Sequence, residues 1–230
     1  MSRPPSVVLN GADLLPDPTG VLVWPERETL VVADLHFEKG SGFARRGVML
    51  PPFDTSATLD RLERAIDRIR PNRVIALGDS FHDTAAAGRL GLSDSNRIRA
   101  LTARVNWHWI TGNHDPDPPL DWGGVAQAEL VDGPLTFRHE ARADAPAGEV
   151  SGHFHPSARL RLKGRSVGGR CFVTDGRRLI LPAFGAFTGG LDVTRPDLRR
   201  LFAKNFDVFL MASGRIWRIP AGKLSTVSAI

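Results

Sequence analysis

Four short polar clusters hold five of the seven histidines of this 230-residue sequence. They are Asp34-Leu35-His36, Gly78-Asp79-Ser80-Phe81-His82-Asp83, Gly112-Asn113-His114-Asp115 and Gly152-His153-Phe154-His155. Each cluster follows an apolar run, and His139 ends another such run. Carboxylate, imidazole and amide oxygen without thiolate suit Mn²⁺, Fe or Zn²⁺, whereas Mg²⁺ prefers oxygen ligands and its own water. The clusters therefore predict a divalent-metal site that is not meant for Mg²⁺ alone.

The spacing inside two of the clusters fits metal binding. One residue separates Asp34 from His36 and His153 from His155, and an extended backbone projects residues i and i+2 to the same side. Each pair is therefore predicted to bind one metal ion or two neighbouring ions. A lone histidine at a strand end is more often structural than a ligand. Four such clusters in this order are hard to explain as packing alone.

The first half of the chain alternates between predicted strands and helices. The apolar spacing predicts strands at Val7–Leu9, Val21–Trp24, Thr29–Ala33, Arg73–Leu77 and Trp107–Thr111. Two amphipathic helices fall between the last three strands, with N-caps predicted at Asp54, Thr55 or Ser56 and at Ser93 or Ser95. The order β-α-β-α-β predicts neighbouring parallel strands. Ligand sites form at the carboxyl ends of such strands, which is where the clusters lie.

The second half is predicted to be rich in strands and poor in helix. The candidate strands are Phe137–His139, Val150–Gly152, Arg159–Lys163, Cys171–Thr174, Leu179–Leu181, Val208–Met211 and Ile216–Ile219. A two-sheet sandwich with helices outside fits both halves. No linker or internal repeat is visible, so residues 1–230 are predicted to form one domain with a frayed end at 220–230.

Composition excludes several classes of protein. The 42% hydrophobic and 24% charged content is ordinary for a globular chain, and no apolar run approaches the roughly 18 residues of a membrane span. Residues 1–18 lack the apolar core of a signal peptide. Cys171 is the single cysteine, so no intrachain disulfide is possible. We expect a cytoplasmic protein without membrane association.

The charge is distributed unevenly along the chain. Residues 1–150 carry a net charge of −5, and residues 151–230 carry +10. Arg159 and Arg161 alternate with apolar residues on a predicted strand directly after His155, while Arg45 and Arg46 follow a glycine-containing loop. These four arginines are candidate contacts for the phosphates of a nucleic acid. A solvated strand face or loop has the same pattern, so that interpretation stays open.

The cluster pattern resembles the calcineurin-like metallophosphoesterases over about residues 28 to 156. The resemblance implies a mixed α/β fold, a four-layer αββα sandwich of two mixed β-sheets flanked by helices. It also implies a dinuclear metal centre, with a hydroxide bridging the two ions as the nucleophile. Asp34, His36 and His155 would bind one metal, Asn113, His139 and His153 the other, and Asp79 would bridge them. His114 would protonate the leaving oxygen.

Longer stretches are similar to the bacterial ligase-associated DNA damage response endonucleases. They are Asp34-Leu-His-Phe-Glu-Lys-Gly40, Ala76-Leu-Gly-Asp-Ser-Phe-His-Asp83, Ser151-Gly-His-Phe-His-Pro156 and Leu181-Pro-Ala-Phe-Gly-Ala-Phe-Thr-Gly-Gly190. This resemblance implies DNA as substrate, a role in repair, and a ligase, a helicase and an exonuclease as partners. Mn²⁺ is the metal we expect, with Fe or Zn²⁺ as alternatives. The oligomeric state is left open.

The sequence departs from the family at His82, because many members place a second acid three residues after the bridging aspartate. His82 is predicted either to touch substrate or to orient a neighbouring ligand. Two other functions remain in competition with a DNA endonuclease. One is a phosphatase or phosphodiesterase for a nucleotide or other small substrate. The other is an inactive metal-binding scaffold, which is disfavoured because every expected ligand is present.

Overall fold

The computed structural model describes residues 5–51, 53–118, 120–162 and 165–224. Its first sheet has seven strands whose spatial order follows the chain. They are β1 (Val7–Leu9), β2 (Ala12–Pro16), β3 (Leu22–Trp24), β4 (Thr29–Val32), β5 (Arg73–Leu77), β6 (Asn106–Ile110) and β7 (Val125–Gln127). The strands β4 to β7 are mutually parallel. The predicted parallel β-α-β-α-β core is therefore confirmed.

Three helices lie along the chain between β4 and β6. They are α1 (Lys39–Ala44), α2 (Asp54–Ile69) and α3 (Leu92–Arg104). The outer face of the first sheet packs on α2 and α3 through buried residues such as Leu30, Leu62 and Ile98. Burial of this apolar surface, at about 25 cal/mol per Å², is what holds the helices on the sheet.

The second sheet has nine strands and is mixed. They are β8 (Glu129–Asp132), β9 (Leu135–Arg138), β10 (Glu149–Ser151), β11 (Pro156–Leu162), β12 (Arg165–Thr174), β13 (Arg178–Ile180), β14 (Leu191–Asp192), β15 (Asp207–Ala212) and β16 (Arg215–Pro220). The strand β10 runs parallel to both β9 and β13, while β11 and β12 form a long antiparallel pair.

The two sheets pack face to face. Ile75 and Val31 of the first sheet share a buried cluster with Phe137, Val150 and Phe172 of the second. A further cluster covers the outer face of the second sheet, where the only α-helix in the described ranges is α4 (Pro196–Arg199). The predicted two-sheet sandwich with flanking helices is confirmed, and its fourth layer is reduced to one helical turn and a loop.

The helix boundaries differ from the sequence-based expectations. Phe53 is the N-cap residue of α2 and Gly91 that of α3, and neither provides a side-chain cap. Asp54, a predicted cap, instead accepts a hydrogen bond from the Gly40 N–H at 3.0 Å. That bond holds α1, where the sequence predicted a loop. The caps predicted for α2 were wrong because Asp54, Thr55 and Ser56 bind other segments instead.

The chain end is more ordered than predicted as far as it is described. The strand β16 runs to Pro220, and a single 3-10 turn follows at Ala221–Lys223. Residues 225–230, where the rest of the frayed end was predicted, lie outside the described residues. Organisation as one domain stays a prediction. Within the described ranges, none of the helices combines the length and hydrophobicity that a membrane crossing requires.

Candidate metal centre

The carboxyl ends of five strands meet at one edge of the sandwich. Every predicted metal ligand directly follows one of them: Asp34 and His36 follow β4, Asp79 follows β5, Asn113 follows β6, His139 follows β9, and His153 and His155 follow β10. Backbone hydrogen bonds tie the ends together within each sheet. The His36 N–H donates to the Asp79 carbonyl at 2.9 Å, and the Gly152 N–H donates to the His139 carbonyl at 2.9 Å.

Asp34, His36 and His155 form the first cluster of candidate ligands. Their ligand atoms all lie within 4.8 Å of one another. The Nε2 atoms of the two histidines are 3.2 Å apart, and the Asp34 carboxylate is 3.4 Å from Nε2 of His155. The backbone N–H of His153 donates to both oxygens of Asp34, at 3.2 and 3.0 Å. This bond crosses from one sheet to the other, so it fixes the cluster across the sandwich.

Asp79, His139 and His153 form the second cluster, within the same 4.8 Å limit. Nε2 of His139 lies 3.4 Å from Asp79, 3.1 Å from Nδ1 of His153 and 3.0 Å from Oδ1 of Asn113. Its Nδ1 lies 2.8 Å from the carbonyl oxygen of Leu77 and donates to it. That hydrogen bond leaves Nε2 as the atom available to a ligand.

The backbone of these residues is left-handed rather than extended. Five of the seven candidate ligands have a positive φ: Asp34 (54°), His36 (46°), Asp79 (47°), His153 (67°) and His155 (47°). The prediction that each i, i+2 pair lies on an extended strand is therefore wrong, although each pair does share one site. Positive φ in non-glycine residues is sparsely populated and clusters at functional sites, where the surroundings hold it.

Two glycines leave room for the ligands. A Cβ added at Gly78 would lie 2.5 Å from Nδ1 of His139, and one at Gly152 would lie 2.7 Å from the Asp34 carboxylate. Gly78 also has φ +74°. Glycine at these two positions therefore allows the ligand side chains to lie directly against the backbone.

The donor set fits divalent cations. In each cluster two imidazole nitrogens face one another beside a buried carboxylate, and a single proton cannot satisfy all of these lone pairs. Burial, and after it the charge of His155, lowers the pKa of His36 to about 2, so this ring is a neutral donor. Its Nδ1 has no hydrogen-bond partner among the described residues. A cation beside each carboxylate would satisfy the facing nitrogens.

The electrostatics of the second cluster also favour a bound cation. Burial opposes ionisation of Asp79, but the hydrogen bond with His139, the charge of His139 and the hydrogen bond from the His114 N–H together outweigh burial and lower the pKa of Asp79 to about 2. Burial also opposes the charged form of His139, yet Asp79 and Asp34 raise the pKa of His139 to about 9. The carboxylates thus create a strong negative potential that favours positive charge at this point.

His114 stands at the same edge but outside both clusters. Its backbone N–H donates to the Asp79 carboxylate at 2.9 Å, and its Nδ1 donates to the carbonyl oxygen of His82 at 2.8 Å. Its Nε2 lies 3.9 Å from the other Asp79 oxygen. The ring is therefore fixed at one nitrogen, while the side chain remains 41% exposed.

The ring of His82 is buried behind His114 rather than open to solvent. It stacks on His114 with 5.6 Å between ring centroids and on Phe43 at the same distance. Neither ring nitrogen has a partner among the described residues, and burial lowers the pKa of His82. Of the two predicted roles, this placement favours orienting His114 over touching substrate.

The predicted arginine contacts lie on two surfaces. Arg45 and Arg46 are exposed just beyond α1, and Arg46 is close enough to contribute to lowering the pKa of His82. Arg159 and Arg161 are exposed on β11, which begins immediately after His155. Their neighbours Ala158 and Leu160 are buried. The structure therefore brings Arg46 towards the site and spreads the β11 pair along a strand leading away from it.

Asp115 is a supporting residue to which the sequence analysis assigned no role. Its buried carboxylate accepts hydrogen bonds from the backbone N–H groups of Asp79, Ser80, Phe81 and Gly112, at 2.9, 2.7, 3.2 and 3.0 Å. Burial and the neighbouring Asp79 charge raise the pKa of Asp115 to about 7. Its position as the last residue of the Gly112–Asp115 cluster was the available signal.

Asp83, the acid that follows His82, forms an ion pair with Arg89. Arg89 binds both carboxylate oxygens of Asp83 at 2.8 Å and donates to Oγ of Ser41 at 2.9 Å. Asp83 is thereby directed towards α1 and away from the two clusters. The ion pair fixes the loop that carries His82 against α1.

Comparisons with known proteins agree with this geometry. A family model for calcineurin-like phosphoesterases matches residues 28–177. The crystal structure of Pseudomonas putida nuclease MPE is 29% identical to this chain, covers 94% of it and 100% of its own chain, and has a TM-score of 0.73. Yfce, a phosphoesterase from E. coli, is 13% identical over 83% of this chain and 97% of its own, with a TM-score of 0.42, too distant to support an inference. A comparison with curated protein sequences returns no match.

The two-sheet sandwich and the paired carboxylate–imidazole clusters at its edge are what a metallophosphoesterase requires. The chain belongs to the calcineurin-like phosphoesterase family, because the family model matches 150 of its 230 residues. This confirms the resemblance drawn from the motifs. The family uses divalent metal ions, and the two clusters are the candidate sites for them.

Proposed function

We propose that this chain is a metal-dependent phosphodiesterase that cleaves DNA internally, an endonuclease of DNA repair. The observation that carries the proposal is the convergence of two ligand clusters and His114 at one open edge. The side chains of His114 and His153 are 41% and 30% exposed, so a phosphate within a long polymer can reach them without entering an enclosed pocket. The likeness to a nuclease over 94% of the chain supports the same substrate class.

The clusters divide the ligands between two divalent ions. Asp34, His36 and His155 would hold one ion, Asn113, His139 and His153 would hold the other, and Asp79 would be shared between them. When bound, two such ions act as Lewis acids on the phosphoryl oxygens and lower the pKa of water. We propose Mn²⁺ as the metal, with Fe or Zn²⁺ as alternatives, because the ligands are carboxylate, imidazole and amide oxygen.

His114 supplies the proton for the leaving oxygen. Its Nδ1–H is held by the His82 carbonyl, so Nε2 is the nitrogen directed to the site. In the imidazolium form Nε2 carries the proton that a departing alkoxide needs, and general-acid catalysis of this kind contributes about 10²- to 10⁴-fold. The stacked ring of His82 limits rotation of the His114 ring.

The finer family resemblance supports a place in DNA repair, and the cytoplasm is the compartment that we propose for it. It also supports association with a ligase, a helicase and an exonuclease. Co-purification of the tagged chain from cells exposed to a DNA-damaging agent tests this part. Recovery of the ligase is the expected result, and repeated recovery of the chain alone would count against these partners.

Internal cleavage is tested with covalently closed circular DNA, which has no ends. With Mn²⁺ the parent protein is expected to open the circles, a chelator to prevent this, and His114→Ala to slow it by about 10²- to 10⁴-fold. Hydrolysis of p-nitrophenyl phosphate and bis-p-nitrophenyl phosphate is measured in parallel. Intact circles with faster monoester hydrolysis would indicate a small-substrate phosphatase. Metal-loaded, folded protein that hydrolyses none of these would indicate a scaffold.

A further inference from the structure

The segment between β13 and β14 turns an aromatic side chain to solvent beside the metal centre. Phe187 is 45% exposed, whereas Phe184, three residues earlier, is fully buried. Phe187 also has φ +55°, a conformation that is a genuine outlier for a bulky residue. The segment contains glycines at 185, 189 and 190. A turn alone would be served better by glycine at the left-handed position, so the phenylalanine calls for another explanation.

The 185–190 loop is anchored to the backbone of two candidate metal ligands. The Gly185 N–H donates to the Asp34 carbonyl at 3.0 Å, and the Leu191 N–H, just after the loop, donates to the His155 carbonyl at 2.9 Å. The Ala186 N–H donates to Oγ1 of Thr58 at 2.9 Å. Consecutive Cα atoms are about 3.8 Å apart, so Cα of Phe187 lies within about 8 Å of that of Gly185. The loop that carries Phe187 therefore begins and ends on the backbone of the first cluster.

Positive charge is concentrated under this loop. Arg61 and Arg170 both donate to the carbonyl oxygen of Phe184, at 2.8 and 3.5 Å, so their guanidinium groups are neighbours. Arg170 also donates to the Gly185 carbonyl at 3.1 Å. Both arginines are half-buried, and two neighbouring cations attract a polyanion such as a phosphodiester backbone.

We propose that Phe187 is a stacking platform for an unpaired nucleobase of the strand being cleaved, next to the scissile phosphate. The inference rests on the proposed function, since a nucleobase is present only if the substrate is nucleic acid. A solvent-facing phenyl ring offers a flat apolar surface, and every nucleobase has a matching face, so stacking tolerates any sequence. The positive potential of the two arginines beneath the loop attracts the backbone while the ring holds the base.

The decisive variant is Phe187→Gly. Glycine adopts φ +55° readily, so this change removes the ring and relieves the backbone instead of breaking the loop. On a single-stranded oligonucleotide with Mn²⁺, KM is expected to rise about 5- to 100-fold, the range for loss of one aromatic–base stack. Phe187→Trp should keep a KM near that of the parent. On a matched strand with abasic nucleotides around the cleavage site, the difference between the parent and Phe187→Gly should disappear.

Val131→Ala is the matched control, because it removes another exposed apolar side chain, 65% exposed on β8. It should cleave both strands as the parent does, and melting temperatures establish that each variant is folded. An unchanged KM for Phe187→Gly on the normal strand would overturn the inference, as would an equal rise on the abasic strand. Failure of the parent to open the circular DNA would overturn the proposed function instead, whereas a parent that opens circles but cleaves neither strand would overturn only the inference.

Discussion

At the residue scale, the site depends on side chains that hold backbone as well as on those that face the ions. Asp34 binds the His153 N–H, and Asp115 binds four backbone N–H groups around Asp79. Both carboxylates are buried. The left-handed conformations of the ligands persist because such contacts outweigh strain of about 1–3 kcal/mol per residue.

Replacement of Asp115 tests this support directly. Asp115→Ala leaves buried backbone donors without an acceptor, and each such group costs about 1–3 kcal/mol. We expect the free energy of unfolding to fall by at least about 3 kcal/mol in urea titrations, with weaker Mn²⁺ binding by the folded protein. Asp115→Asn keeps one acceptor oxygen and should lose less.

Asp121 provides the control for that experiment. Its side chain is 70% exposed and meets Arg99 at 3.4 Å, and exposed pairs contribute about 0–1 kcal/mol. Asp121→Ala should therefore unfold at nearly the urea concentration of the parent. Equal stability of Asp115→Ala and Asp121→Ala would show that the bonds to Asp115 do not support the site.

At the element scale, the sequence predicted best where a signal is local. The strand β5 was predicted with its observed ends, because a buried apolar run lies between Pro71 and Gly78. The helix α1 was missed, since six residues with two glycines carry no helical pattern. It forms through contacts from elsewhere: Asp54 binds the Gly40 N–H, and Arg89 binds Ser41. Local pattern cannot show such long-range bonds.

The candidate site was likewise predicted only where the signal is local in sequence. The order of polar clusters after strands predicted which residues meet, and the structure brings all seven candidate ligands to one edge. Spacing did not predict their left-handed backbone, because D-x-H and H-x-H fit an extended strand equally well. The sequence did not predict roles for Asp115, Arg61 and Arg170, because these side chains bind backbone groups that are distant in sequence.

Gly78, in the turn directly after β5, allows a test of how the backbone positions a candidate ligand. Gly78→Ala places a Cβ 2.5 Å from Nδ1 of His139, so the ring must move away from Asp79. We expect hydrolysis of bis-p-nitrophenyl phosphate at fixed Mn²⁺ to fall at least about tenfold, as for other changes that misplace a metal ligand.

Gly214→Ala separates the clash from backbone strain. Gly214 has φ +67°, close to the +74° of Gly78, but nothing lies within 4 Å of an added Cβ. This variant should lose stability through strain of about 1–3 kcal/mol while it keeps its activity. If both alanine variants lost activity to the same extent, displacement of His139 would not be the cause.

At the scale of the whole molecule, charge separates along the chain. Residues 1–150 carry −5 and include Asp34 and Asp79, whereas residues 151–230 carry +10. The basic strand β11 starts directly after His155. One region of the molecule is therefore acidic and attracts cations, and the other is basic and attracts a polyanion. Exposure of Arg159 and Arg161 along β11 extends the basic surface from the metal edge.

Salt dependence of DNA binding measures the contribution of this surface. Each phosphate contact adds about −0.7 on a single strand, or −0.9 on a duplex, to the slope of log K against log salt. The double variant Arg159→Ala/Arg161→Ala should make the single-strand slope shallower by up to about 1.4. Arg104→Ala, which removes an exposed arginine paired with Asp67 on α3 and α2, should leave the slope as in the parent. An unchanged slope in the double variant would show that β11 does not contact the phosphates of the bound DNA.

We propose that both clusters act together, through Asp79, in phosphodiester hydrolysis. The most direct measurement is bis-p-nitrophenyl phosphate hydrolysis by the parent and by Asp79→Asn, each freed of metal and then loaded with Mn²⁺, with bound metal determined on the same samples. We predict Mn²⁺-dependent hydrolysis by the parent, and loss of both bound metal and hydrolysis in Asp79→Asn. Hydrolysis by Asp79→Asn as fast as that by the parent would contradict the account.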